Sequence, residues 1–349
     1  MDKLIINGGR PLVGKINISG AKNASLPILA ASLMCPDEIT LRNLPHLQDI
    51  TTMVHLLNSM GADIVIDENL NLAVNTANIT NPTAPYELVA TMRASILVLG
   101  PLLTYFGKAT VSMPGGCAIG ARPVDMHIDG LRKMGANIEI TNGFIIAAAP
   151  QGLTGSSITF DQVTVTGTEN LMMAAVLAKG TTVLNNSACE PEVTDLANFL
   201  NSMGAKISGI GTRSLTIEGV RALHGCNYSV SADRIEAGTY LAAAIITRGK
   251  ITVNGISPEY MTAVLDKMSE IGADIQTTHN SISLDMQDKT INAVDIETAA
   301  YPGFPTDMQA QFAAIATIAQ GTSHITENIF ESRFSYLQEL SRLGASIQL

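Results

Sequence analysis

One phrase recurs five times along the chain. Each copy is a stretch of helical periodicity that ends in Gly-Ala and runs into alternating apolar residues. LLNSMGADIVI carries Gly61-Ala62, GLRKMGANIEI carries Gly135-Ala136 and FLNSMGAKIS carries Gly204-Ala205. DKMSEIGADIQ carries Gly272-Ala273 and LSRLGASIQL carries Gly344-Ala345. The spacings are 74, 69, 68 and 72 residues. Self-similarity at a fixed period constrains architecture before any other feature does. Met53, Leu56, Leu57 and Met60 fall at i, i+3, i+4 and i+7, one face of a helix, and Met261, Val264, Leu265 and Met268 repeat that spacing. The glycine is expected to end the helix in a left-handed cap. A strand follows, with Ile64 and Ile66, or Ile138 and Ile140, on one face.

Upstream of each phrase lies a second shared pattern, an Ala-rich helix stopped near a glycine and followed by a strand. AAVLAKGTTVLNN stops at Gly180, AAAIITRGKITVNG at Gly249 and AAIATIAQGTSHITEN at Gly321. Gly107 serves the same role before KATVSM, and Cys35-Pro36 serves it before EITLRN. Each unit therefore reads helix, strand, loop, helix, strand. The Ala-rich helices are apolar on most sides and are expected to be buried, with strands and amphipathic helices covering them. That is an α/β domain turned inside out. The period exceeds the usual 20–50 residues of solenoids, so closed domains of three units each are expected.

Composition narrows the function classes. The 349 residues carry a net charge of −10 and only 15% charged side chains, against 46% hydrophobic. The acidic balance argues against a broad nucleic-acid or anionic-membrane surface. Uncharged apolar stretches such as 94–107 fall short of the roughly 18–20 residues that a membrane span needs. The opening MDKLIINGGRPL lacks the shape of a signal peptide. Cys35, Cys117, Cys189 and Cys226 show no zinc spacing or CxxC pairing, and none of the six histidines forms a metal-type pair. The expectation is a cytoplasmic protein without cofactor or metal.

Polar clusters precede the Ala-rich helices: Ser19 to Asn23, Thr91 to Arg93, Thr166 to Asn170, Ser231 to Arg234 and Pro305 to Asp307. Helix N-termini attract anions. Lys22, Arg93 and Arg234 set cations against the dipole there, which points to an anionic ligand or else to solvated residues that simply begin helices. The loop Met113 to Pro123 holds three glycines around Cys117, beside Arg122. Its thiol is either reactive, with a lowered pKa, or a small buried cysteine. Asp307 reads by residue type as an N-cap. Glu190, Glu192, Glu327, Glu331 and Arg333 read as surface charges or interdomain pairs, His127 as structural, and the methionines as core. The residues alone lead to a two-domain α/β enzyme with an anion-binding cleft and a reactive thiol.

Taken together, SGAKNASLP at 19–27, TMRASILVLGPLL at 91–103, PGGCAIGARPVDMH at 114–127, EPEVTDLANFL at 190–200, DRIEAGTYL at 233–241, PGFPTDMQAQ at 302–311 and ENIFESRF at 327–334 span the chain. In this order the chain resembles the enolpyruvyl transferases, and among them the UDP-N-acetylglucosamine 1-carboxyvinyltransferases. The shikimate-pathway synthases share the fold but lack the GGCAIG loop. The resemblance implies a two-domain inside-out α/β barrel of about 70-residue repeats. Domain one would span 22–231, and domain two 1–21 plus 232–349, with the active site in the cleft between them.

The implied reaction moves the enolpyruvyl group of phosphoenolpyruvate to the 3′-hydroxyl of UDP-N-acetylglucosamine, the committed step of peptidoglycan synthesis. Cys117 matches the general acid and Asp307 the group that takes the hydroxyl proton. Lys22, Arg122 and Arg93 match the cations around phosphate and carboxylate. Asn23, Arg122, Pro123, Val124, Asp125, Met126, Thr164, Val165 and Ile329 match the nucleotide-sugar pocket, and Arg234 and Arg333 the groups that hold the domains closed. Met126 stands where leucine is usual and Thr166 where many relatives have glycine. The family has six units and this sequence shows five, stopping at Leu349 within the strand after Gly344. The expectation is a truncated version of an enzyme of about 420 residues, lacking two phosphoenolpyruvate-site arginines. The alternative is an impaired form that binds UDP-N-acetylglucosamine only.

Overall fold

The computed structural model describes residues 3–68, 71–89, 92–113 and 124–349. The chain divides into two compact units, Gly20–Ser231 and Met1–Ser19 with Ala232–Leu349. The helices are α1 (Lys22–Ala31), α2 (Gln48–Met60), α3 (Tyr86–Val89), α4 (Leu99–Phe106), α5 (Asp125–Lys133) and α6 (Val165–Val176). They continue with α7 (Pro191–Ser202), α8 (Arg234–Ile246), α9 (Thr262–Ile271), α10 (Gln309–Ala316) and α11 (Leu337–Arg342). None is long and apolar enough to cross a membrane, among the described residues.

Within Gly20–Ser231 the apolar helices lie inside. Every residue of α1 from Ala24 to Ala31 is buried, as is every residue of α6 from Gly167 to Val176. Leu99, Leu102 and Leu103 of α4 pack into the same core. The amphipathic helices close over them: α2 buries Ile50, Met53, Leu56, Leu57 and Met60, the spaced face read from the sequence. Burying a leucine or methionine side chain contributes about 1.5–3 kcal/mol, so the 3.6-residue pattern determines which face turns inward. The helix ends at Gly61, whose φ of 109° is the left-handed conformation that a side chain disfavours. The glycines of the other four Gly-Ala pairs take positive φ as well.

Three four-stranded sheets surround this core in the same order. One runs Asn227–Ser229, Ile39–Arg42, Leu72–Asn75, Asp63–Ile66; the second runs Thr83–Ala84, Lys108–Ser112, Phe144–Ala148, Asn137–Thr141. The third runs Ser157–Thr159, Thr181–Asn185, Ser214–Glu218, Lys206–Ser208. In each, the first pair is parallel and the next two are antiparallel. Strand Asn227–Ser229, from the end of the unit, pairs with Ile39–Arg42 near its start, Tyr228 opposite Leu41. That pairing ties the end of the unit to its start.

The other unit has its own core, built on Leu241, Ile245, Val253, Met268, Ile282 and Phe312. Its four-stranded sheet repeats the order, Val13–Asn17, Lys250–Asn254, Ser281–Asp285, Asp274–Thr278. A short parallel pair, Ile296–Glu297 with Ile325–Thr326, lies beside it in sequence. Here α8 and α10 pack on each other but bury only part of their surface. Tyr240 and Ile318 stay exposed, and α11 buries no residue. The full burial expected of every Ala-rich helix therefore holds for α1 and α6 and not for these two.

Three local expectations are corrected. The α8 helix is turned by Arg248, at φ 52°, rather than by Gly249. Gly249 is there for space, since a Cβ would stand 2.0 Å from the carbonyl oxygen of Leu12, which precedes the neighbouring strand Val13–Asn17. The helix expected to start at Arg93 opens as a 3-10 helix, Arg93–Val98, and becomes α-helical only at Leu99. Pro101 thereby falls in the first α-turn, where its missing N–H costs nothing. Finally, Ile138 is buried but Ile140 is 51% exposed, because that strand lies at the outer edge of its sheet.

Candidate functional site

In the unit Gly20–Ser231, the expected binding residues sit at helix starts. Lys22 is the first residue of α1, whose N-cap, Ala21, supplies no side-chain hydrogen bond. Its Nζ lies 3.4 Å from Asp49 Oδ2 in the first turn of α2, with both side chains about two-fifths exposed. An N-terminus without a side-chain cap, carrying an ammonium, suits an anion. Asn23 follows, exposed. Arg93 opens the 3-10 helix, half-buried. Thr164 caps α6, its hydroxyl accepting from the Gly167 N–H at 3.2 Å, and Val165 is the first helical residue. Val124 is the buried N-cap residue of α5, Asp125 starts that helix, exposed to solvent, and Met126 packs against the core. Cys117, Arg122 and Pro123 lie outside the described residues.

A residue read from the sequence as structural joins several of these positions. His127 is buried directly after Met126. Its Nδ1 meets Asn170 Nδ2 at 2.9 Å and its Nε2 lies 3.4 Å from Thr166 Oγ1. With the amide donating to Nδ1, the ring proton sits on Nε2. Burial, and then the positive charge of Arg93, push the imidazole down to a pKa of about 4. The buried Asn170 also donates to Ile96 O at 3.1 Å and accepts from Gly100 N–H at 2.7 Å. One amide thus fixes the 3-10 helix behind Arg93, the start of α4, and the α5 residue beside Met126. Arg93, Val124 to Met126 and Thr164 to Val165 are brought together through this network.

Next to Asn170, Glu169 is fully buried, and one of its carboxyl oxygens has no hydrogen-bond partner. Burial, reinforced by the charges of Glu192 and Glu190, pushes its pKa well up. Glu192 is buried rather than a surface charge. Burial likewise raises the thiols of Cys35, Cys189 and Cys226, which makes them poor nucleophiles.

In the second unit Asp307 is not a helix cap. It lies within the 3-10 helix Thr306–Met308, whose N-cap residue is Pro305. Its Oδ1 accepts from Arg333 Nη2 at 2.6 Å, with the aspartate side chain 40% exposed. The Arg333 guanidinium also stands 5.4 Å from the Phe330 ring centre. Ile329 is 39% exposed in the same segment. Arg234, the first residue of α8, stands 5.6 Å from the Tyr301 ring centre. It lines a cleft of about 40 Å³ with Glu259, Tyr260 and Pro305. The cap of α8 is Asp233, which accepts from the N–H groups of Ile235 and Glu236.

The residue that the sequence reading undervalued here is Glu327. Its Oε1 accepts from Thr298 Oγ1 at 2.9 Å, Ile329 N–H at 2.8 Å and Phe330 N–H at 3.2 Å. Its Oε2 accepts from Thr306 Oγ1 at 2.8 Å and Gln309 Nε2 at 3.0 Å. Gln309 in turn accepts from Tyr336 Oη at 2.6 Å. Burial raises the Tyr336 phenol to about 12, against a lowering by the Arg333 charge that Glu327 offsets only in part. The available signal was a carboxylate placed two residues before Ile329, where it can accept the following N–H groups as a cap does. Among the described residues, no group of three or more His, Cys, Asp or Glu is arranged to hold a metal.

Comparison with known proteins adds to this geometry. Residues 6–349 match the family model of EPSP synthase (3-phosphoshikimate 1-carboxyvinyltransferase). The chain is 58% identical to the UDP-N-acetylglucosamine 1-carboxyvinyltransferase of Coxiella burnetii (strain Dugway 5J108-111), over all of its length and 80% of the relative's. It is 56% identical to the enzyme of that name from Hydrogenovibrio crunogenus, covering all of this chain and 83% of that one. Among solved structures, the enolpyruvyl transferase NikO from Streptomyces tendae superposes with a TM-score of 0.85 at 21% identity, over 96% of this chain and 80% of that chain. EPSP synthase from Acinetobacter baumannii superposes with 0.67 at 17% identity, over 92% and 75%. The two structures speak for the fold alone.

Proposed function

The chain belongs to the EPSP synthase family, and from that premise we propose that it transfers the enolpyruvyl group of phosphoenolpyruvate to the 3′-hydroxyl of UDP-N-acetylglucosamine. The observation that carries this reading is the 58% identity over all 349 residues to a relative of that name. Shikimate 3-phosphate is the substrate that the family model's own description would suggest, whereas the two relatives named above carry the name of the UDP-N-acetylglucosamine enzyme.

In this reading the reaction is an addition followed by an elimination. The sugar oxygen attacks carbon 2 of phosphoenolpyruvate while carbon 3 gains a proton, and a tetrahedral ketal forms. The proton then leaves carbon 3 as phosphate departs. Cys117 supplies the proton to carbon 3, and Asp307 takes the one from the hydroxyl. Each acid–base role contributes about 10²–10⁴-fold. Lys22, Arg93 and Arg122 offset the negative charge of phosphate and carboxylate, an interaction worth most where charge builds up in the transition state. Asn23, Pro123, Val124, Asp125, Met126, Thr164, Val165 and Ile329 line the nucleotide-sugar pocket. The Arg333 guanidinium at 2.6 Å from Asp307 supports the aspartate's role, because the charge-assisted hydrogen bond orients the carboxylate. The three described cysteines are free thiols, in keeping with a cytoplasmic setting and a place in peptidoglycan synthesis.

Phosphate release tests the reading. It is expected only when phosphoenolpyruvate and UDP-N-acetylglucosamine are both present. Cys117→Ser is expected to lose at least 100-fold in kcat, in line with the removal of a general acid. Turnover of shikimate 3-phosphate instead, or full activity of the serine variant, sinks it. Calorimetric binding of the nucleotide sugar without phosphate release would favour the binding-only alternative, which draws no support from the relatives.

A further inference from the structure

Glu327 gathers two segments onto a single carboxylate. Oε2 holds Thr306 and Gln309, the residues one before and two after Asp307. Oε1 holds the N–H groups of Ile329 and Phe330, and the Thr298 hydroxyl. Thr298 is fully buried, and its oxygen also accepts from Asn328 N–H at 2.9 Å. Asn328 Nδ2 donates to Glu297 Oε1 at 2.8 Å. The segment then returns to the aspartate through Arg333. Asp307 itself touches none of the Glu327 oxygens in any described bond, so what this carboxylate sets is the backbone that carries Asp307 and Ile329. Five donors on two oxygens take up the whole acceptor capacity of a carboxylate, about four lone-pair sites, with one of them shared. Few other side chains could accept from both segments at once.

We propose that Glu327 is a positioning residue for the transfer reaction, fixing the backbone of Asp307 and of Ile329 in one register so that base and sugar contact act on the same nucleotide sugar. The proposal rests on the transfer reading given above. A misplacement of about 1 Å at such a site costs on the order of 100-fold in rate. An amide in place of the carboxylate keeps one acceptor oxygen and turns an N–H₂ toward the other donors, so it disturbs one segment and leaves the shape intact.

The experiment is steady-state kinetics of the full chain, with phosphate release as readout, on wild type, Glu327→Gln, Thr298→Val and Thr298→Ser. Folding is checked by circular dichroism, and the concentration of competent enzyme by titration of Cys117. Glu327→Gln is expected to lower kcat at least 10-fold per competent site and to raise the KM for UDP-N-acetylglucosamine at least 3-fold. The KM for phosphoenolpyruvate should stay within 2-fold. Thr298→Val, which removes one donor to Glu327 and the acceptor of the Asn328 N–H, is expected to follow in the same direction, and Thr298→Ser to restore wild-type values. Overturning results are values within 2-fold of wild type in Glu327→Gln, or a loss that disappears once activity is expressed per competent site. An equal rise in both KM values, or a serine variant no better than the valine one, also overturns it. If wild type releases no phosphate, the transfer reading itself falls and takes this role with it, an outcome recognisable because it precedes any variant.

Discussion

His127 and Glu169 are buried ionisable groups that must stay neutral, and pH reveals them. For His127 the folded pKa of about 4 lies below the ordinary 6.5. The unfolded chain therefore binds the extra proton first, and stability falls as pH drops from 6.5 toward 4. The span corresponds to at most about 3 kcal/mol. Urea unfolding should show this slope in wild type and a flatter one in His127→Gln; equal slopes would remove the assignment. Glu169 has the opposite sign. Its raised folded pKa means that stability is full below the unfolded value and is lost as pH rises above it. Glu169→Gln mimics the protonated acid, so its melting temperature should gain on wild type between pH 5 and pH 8. A gap between the two that stays constant across that range would contradict the burial argument.

At the scale of elements, two glycines that look alike in the sequence do different things. Gly135 takes φ 94° with no atom near the place of its Cβ. Gly135→Ala therefore pays only for left-handed backbone, about 1–2 kcal/mol. A Cβ at Gly249 would stand 2.0 Å from the Leu12 carbonyl oxygen. Either the edge strand Val13–Asn17 or the α8 turn must then move, and the loss should be on the order of 3 kcal/mol. Chemical denaturation of the two variants decides, and an equal loss would show that backbone strain governs both. Thr164 offers a smaller effect of the same kind: removing the cap of α6 by Thr164→Ala should cost about 1 kcal/mol.

At the scale of the whole molecule, each unit has a separate hydrophobic core. Proteins built this way commonly unfold in more than one step. Leu57 is buried in the first core and Phe312 in the second, and truncating either to alanine should cost about 2–5 kcal/mol. In calorimetry, Leu57→Ala is expected to lower one transition and Phe312→Ala another. If both substitutions lower a single transition by the same amount, the two cores melt as one.

Local periodicity carried most of the fold. The five Gly-Ala phrases, the inward face of α2, the full burial of α1 and α6 and the family itself were legible in the sequence, because apolar spacing states which side of an element avoids water. Lys22 and Arg234 were legible as helix starts, whereas the cluster Thr166 to Asn170, read as preceding a helix, lies inside α6, whose cap is Thr164. What spacing cannot state is which distant donor satisfies a buried polar atom. Asn170 finds Ile96, Gly100 and His127, and Glu327 finds Thr298, Thr306 and Gln309. Those partners meet only once the chain has folded. Thus the pairing of Arg333 with Asp307 could not be read from spacing, and Gly249 read as a helix stop and proved a point of close approach. The sequence by itself determined which surfaces are buried, since hydrophobicity is a property of each residue. The tertiary structure alone decided which polar groups act together, since a hydrogen bond is a property of a pair.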